Sequence, residues 1–98
     1  MTPAECLNAA ADLLEREGWC QYRFGDYNGP RCLDSALVEA AMSGPGSHWV
    51  PPEPYVRALE ALQPRVGCLT TWNDVAGRTK DEVLTLLRET AASLEVQS

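Results

Sequence analysis

The chain has 98 residues, a hydrophobic fraction of 45% and a formal net charge of −6. That length suits one domain, residues 1–98, able to bury a single core without staples. The acidic balance argues against a nucleic-acid reader, which needs a basic footprint to neutralise phosphates, and against docking to an anionic membrane. Carboxylates are interspersed with Arg and Lys, so the charge reads first as a solvated surface.

The first helix is expected over 3–17. Thr2 can cap it, Pro3 suits its first position, and Glu5 completes a capping box. Leu7, Ala10, Ala11 and Leu14 recur at helical spacing, with Leu13 widening the stripe. Gly18 ends the helix in a left-handed cap, and Trp19 folds back on the apolar stripe.

Residues 19–31 read as an irregular loop, with turn signals at Gly25-Asp26 and Asn28-Gly29-Pro30. Tyr22, Phe24 and Tyr27 cover the edge of the core or form an aromatic binding surface. A second helix is expected over 32–42, burying Leu33, Ala36, Leu37, Ala40 and Ala41. Its alanine content would let it sit at the centre of a bundle. Ser43-Gly44-Pro45-Gly46 stops it, because two glycines and a proline forbid continuation. The Pro/Gly-rich loop that follows, 43–53, carries His48 and Trp49. A lone histidine without an acid partner reads as a loop residue. Trp49 packs on the core or anchors a partner.

A third helix is expected over 54–63, with Tyr55, Val56, Leu59 and Leu62 inward and Pro64 ending it. A short turn at 68–72 would carry Leu69 and Trp72 inward. The last helix, 80–95, starts from a second capping box, Thr79 with Glu82, and buries Val83, Leu84, Leu87, Ala91 and Leu94, with Leu86 broadening the stripe. The expected fold is therefore all-α, a compact bundle of about four helices.

The four cysteines, at 6, 20, 32 and 68, have neither the C-x-x-C spacing of a metal or redox motif nor a disulfide framework. They read as small buried thiols. A Cys20–Cys32 disulfide and a site built from Cys20, Cys32, Cys68 and His48 are the alternatives weighed, and no metal or cofactor is expected. The glycines fit no phosphate loop, and no activated nucleophile is apparent, so no catalytic residue is assigned. With no secretion-signal pattern and no long apolar run, the chain reads as cytoplasmic.

Thr71 to Thr79 holds the densest cluster of signals. Trp72 is expected to plug the core, Asn73 or Asp74 to cap amides in an Asx turn, and Gly77 to take a left-handed conformation. Arg78 would pair with Asp74 or cover a ring. The functional alternative makes Gln21, Asn73, Asp74 and Arg78 a polar ligand site.

Three segments together, Gly18-Trp19-x-Gln21, then Gly29-Pro30-Arg31-Cys32-Leu33, then Trp72-Asn73-Asp74 with Arg78-Thr79-x-x-Glu82-Val83, resemble a family of small proteins of unknown function. That family is found in actinobacteria and in the phages that infect them. The resemblance spans residues 5 to 92 and implies a source and a helical fold but no activity. The function expected is that of a small non-catalytic interaction protein binding a host or cellular protein through Tyr22, Phe24, Tyr27 and Trp49. A small polar ligand-binding or enzymatic domain using Gln21, Asn73, Asp74 and Arg78 and a structural homo-oligomer, with a homodimer possible, are the alternatives.

Overall fold

The computed structural model describes residues 2–22, 29–42 and 53–97, with the side chains of 96 and 97 left aside. Among these residues the elements are α1 (Pro3–Glu17), α2 (Leu33–Ala41), α3 (Glu53–Val66), α4 (Leu69–Asn73) and α5 (Lys80–Gln97). No β-strand occurs among them. The only pairing of that kind is an isolated parallel bridge between Trp19 and Arg31. Phe24, Tyr27, His48 and Trp49 lie outside the described residues.

Both capping boxes form. The Thr2 hydroxyl accepts the Glu5 N–H at 3.0 Å, and the Glu5 carboxylate accepts the Thr2 N–H at 2.7 Å. Thr79 and Glu82 repeat the exchange at 3.2 and 3.0 Å. Each box satisfies two amides that the helix itself leaves orphaned. Gly18 takes φ +102°, ψ 169° rather than the left-handed helical cap expected, and its N–H still closes on Leu14 O at 2.9 Å.

α1 sits at the centre, packed against α5, α2 and α3. The expectation that α2 could occupy that place is corrected. The reason lies in side-chain volume: α1 buries Ala4, Ala10 and Ala11 beside Cys6, Leu7, Leu13 and Leu14, so neighbours approach it from several sides. Leu33, Ala36, Leu37 and Ala40 of α2 face it, as do Val83, Leu87 and Ala91 of α5. Burying a leucine such as Leu7 or Leu87 contributes about 1.5–3 kcal/mol. The polar side of the α1–α5 contact is a clamp. Arg88 donates to Asn8 O and Asn8 Oδ1 and pairs with Asp12 at 2.6 Å and Glu15 at 3.5 Å.

Three further details depart from expectation. α3 runs on through Pro64 to Val66, and Gly67, not Pro64, marks its end. Its buried face is Ala58 and Leu62, with Tyr55 and Leu59 partly buried, while Val56 is exposed. Positions 55, 58, 59 and 62 form one helical stripe, and Val56 lies a quarter-turn off it. The turn expected at 68–72 is the short helix α4, which buries Leu69 and Asn73.

Candidate functional site

The residues Gln21, Asn73 and Asp74 meet where α4 ends against the chain leaving α1. Asn73 is 1% exposed and lies at the hub. Its Oδ1 accepts the Trp19 indole N–H at 2.6 Å and the Leu33 N–H at 3.1 Å. Its Nδ2 donates to Cys20 O at 3.1 Å and Asp74 Oδ1 at 3.0 Å. An asparagine amide offers two acceptor and two donor positions, and here all four are taken.

The Leu33 amide is the first orphan donor of α2, so Asn73 acts as a remote cap for that helix. The residue in the N-cap position proper is Cys32, whose sulfur accepts the Ser35 N–H at 3.4 Å. A thiol is a weak acceptor, which leaves room for a second cap from elsewhere in the chain.

Around this hub the segment 20–22 is tied down by α4 and the turn after it. Gln21 Nε2 donates to Asn73 O at 3.0 Å and to Val75 O at 2.9 Å. Asp74 Oδ1 accepts the Tyr22 N–H at 2.8 Å. Asn73 and Asp74 thus cap amides across the fold rather than within an Asx turn of their own. Tyr22 itself has φ +65° and a ring in solvent, at 68% exposure. A bulky residue in the left-handed region is a backbone outlier.

Arg78 stands apart from the other three. Its guanidinium lies 3.9 Å from the centre of the Trp72 ring, its Nε donates to Trp72 O at 3.0 Å, and it pairs with Glu82 at 3.0 Å. The ring-covering alternative is the one realised. Trp72 is correspondingly half-buried, packed on the edge of the core with Arg78 over it. The fully enclosed plug at this point is Asn73.

Arg31 escaped the sequence reading. It is 3% exposed and pairs with Glu39 of α2 through two contacts, Nε to Oε2 and Nη2 to Oε1, the latter at 3.0 Å. It also donates to Gly29 O at 2.7 Å. Its main chain makes the bridge to Trp19, with Arg31 N–H to Gly18 O and Cys20 N–H to Arg31 O, both 3.1 Å. A single arginine beside a turn carries no local signal of burial. The arrangement closes the neck of residues 19–31 from one side while Asn73 closes it from the other.

No disulfide joins the four cysteines. Cys6 and Cys32 are buried, Cys20 is half-buried, and Cys68 is exposed, which corrects its reading as a buried thiol. Burial pushes the Cys6 thiol up to about 11 and also raises Cys32. Hydrogen bonding from the Thr71 hydroxyl, then its amide, lowers Cys68. Among the described residues no group of three His, Cys, Asp or Glu side chains is placed to hold a metal ion. No helix among them is long and apolar enough to cross a membrane.

Among the described residues, two grooves flank these features. One, of about 280 Å³, lies between α1 and α2 and is lined by Ala9, Asp12, Leu13, Arg16, Glu39 and Ala40. The other, of about 370 Å³, is lined by Trp72 of α4 and by Asp81, Glu82, Thr85, Leu86 and Glu89 of α5.

The chain belongs to a family of unknown function (DUF6197), whose model matches residues 1–93. No curated protein and no solved structure matches the chain.

Proposed function

We propose that this member of a family of unknown function is a small, non-catalytic interaction protein that engages another protein through the surface at Tyr22. The observation that carries this reading is the state of Tyr22. Its ring is 68% exposed on a backbone with φ +65°, held there by the Asp74 carboxylate at 2.8 Å. Strain at an exposed aromatic does nothing for the core, and fixed tyrosines are effective contact anchors because few torsions remain to be frozen on binding. Val75, also exposed, is joined to the same segment through Gln21.

The saturation of Asn73 supports a scaffolding role for the polar cluster. An amide with all four positions used inside the fold has none left for a ligand. The source implied by the three sequence segments is an actinobacterium or one of its phages. The site of action we assign is the cytoplasm, and in the phage case the partner is a host protein.

The test is affinity capture from lysate of the source organism or host, comparing the natural chain with Tyr22→Ala. We expect a defined protein to be retained by the natural chain and its retention to fall about tenfold or more in the variant, the scale of an interface hot spot, at an unchanged melting temperature. Equal retention by both would remove the assignment. Light scattering of the purified chain separates a foreign partner from a second copy of this chain.

A further inference from the structure

We infer that Cys20 and Cys32 are a paired oxidation site: exchange with a low-molecular-weight disulfide joins them reversibly and fastens the neck of the loop that carries Tyr22. The inference rests on the geometry of the neck and stands whether or not Tyr22 engages a partner.

The two chains at the neck run parallel and in register. Arg31 N–H donates to Gly18 O and Cys20 N–H to Arg31 O, which pairs Trp19 with Arg31. One step along, Cys20 stands opposite Cys32. A parallel ladder continued by its regular pattern would next join Leu33 N–H to Cys20 O. The Asn73 amide occupies that place instead: its Nδ2 donates to Cys20 O at 3.1 Å and its Oδ1 accepts the Leu33 N–H at 3.1 Å. Cys20 and Cys32 are therefore held between a closed ladder bond and one propped open by a side chain.

This placement suits a disulfide. Cys32 is extended, with φ −80° and ψ 170°, and opposed residues of a ladder turn their side chains to one face. Paired strands lie about 4.7–4.9 Å apart, closer than the roughly 5.5–6 Å between Cα atoms that a disulfide favours. The inserted amide opens the gap in that direction. The two thiols also feel each other: burial is the first cause that raises Cys32, and the charge of Cys20 is among the smaller ones.

Exposure divides the roles, since Cys20 is half-buried and Cys32 buried. The Cys20 thiolate attacks one sulfur of the small disulfide and expels a first small thiol, which takes up the proton that Cys20 lost. The Cys32 thiolate then attacks the Cys20 sulfur of the mixed disulfide and expels the second small thiol in the same way. Two protein thiols are oxidised, and one small disulfide is reduced to two thiols. The second attack is internal and needs no exposure of Cys32. The product is a ring of 13 residues, Cys20 to Cys32 inclusive, which stabilises chiefly by restricting the unfolded chain.

The test treats the reduced full chain with glutathione disulfide under native conditions, quenches with N-ethylmaleimide and maps the tryptic peptides. Cleavage after Arg16, Arg23, Arg31 and Arg65 puts each cysteine on its own peptide. We expect the peptides of Cys20 and Cys32 to be joined. The melting temperature should rise by about 5–10 °C and return on adding dithiothreitol. Cys32→Ser keeps a capping oxygen for the Ser35 N–H and so preserves the start of α2; in it the glutathione adduct on Cys20 should persist. The inference is overturned if the native chain forms no Cys20–Cys32 link, whether Cys20 stays reduced or keeps its adduct as the variant does, or if linkage lowers the melting temperature.

Discussion

The Asn73 side-chain oxygen accepts the indole N–H of Trp19 at 2.6 Å across 54 residues of sequence. The same oxygen takes the Leu33 amide, and the amide nitrogen holds Cys20 O. One buried side chain therefore joins the end of α1, the start of α2 and the end of α4.

Asn73→Ala should be the most damaging polar substitution in the chain. It leaves the Trp19 N–H, the Leu33 N–H and the Cys20 carbonyl without their partner. Each unsatisfied buried group costs about 1–3 kcal/mol, and partial rehydration should bring the total to about 3–5 kcal/mol. That is a large share of the roughly 5–15 kcal/mol available to a domain. Urea denaturation followed by tryptophan fluorescence measures it. A loss below about 1 kcal/mol would show that the hub is dispensable.

Tyr22→Gly should be neutral or stabilising by up to about 1 kcal/mol. Glycine relieves the strain of φ +65°, while the exposed ring contributes little to the core. The greater entropy of the unfolded glycine chain offsets part of the gain. Thermal unfolding checks the sign, and a clear fall in melting temperature would mean the ring packs in solution. If capture is lost in the same variant, stability and binding oppose each other at one residue.

The thiols should separate under alkylation. At pH 8 the exposed, lowered Cys68 should react first with iodoacetamide, and Cys6 and Cys32, buried and raised, only after unfolding. Peptide mapping of a short time course reads the order. Labelling of Cys6 as fast as Cys68 in the native protein would contradict the packing of α1 against α2, where the Cys6 thiol lies 3.7 Å from Leu37 O.

Acid should weaken the fold through its helix starts. The Glu82 carboxyl is held below its ordinary value of 4.5, first by the Thr79 N–H and then by Arg78. Glu5 is held below the same value, first by the Thr2 N–H. A carboxyl lowered in the folded state contributes fully above its unfolded pKa and loses that contribution as the pH falls through the folded one. The melting temperature should therefore decline as the pH drops below 4.5. Glu82→Gln should flatten that decline while lowering the melting temperature at pH 7. An unchanged acid slope in the variant would exclude Glu82 as a contributor.

Much of the helical content was legible because its signals are local. Thr2 with Glu5 and Thr79 with Glu82 place two helix starts within a four-residue window. The periodicity of Leu7, Ala10, Ala11 and Leu14 marks the face of α1 before any packing is known. Arg78 over an aromatic ring was among the readings, and the structure supplies which ring it is, Trp72, six residues away. Val56 was misplaced because α3 offers two overlapping apolar stripes. Periodicity cannot choose between them, whereas the packing against α1 and α2 does.

What the sequence determined by itself is the four longer helices and the two capping boxes, since these rest on contacts three or four residues apart. The tertiary structure decided which helix is central and which polar residue is the keystone. Asn73 looks like a turn former in sequence, and Arg31 looks like a surface charge. Their roles come from partners that folding delivers: Trp19 and Leu33, 54 and 40 residues from Asn73, and Glu39, eight residues from Arg31 on the next helix. A buried amide or guanidinium is tolerable only where every donor and acceptor is met, and for these two residues most of those partners lie beyond the reach of a local sequence window.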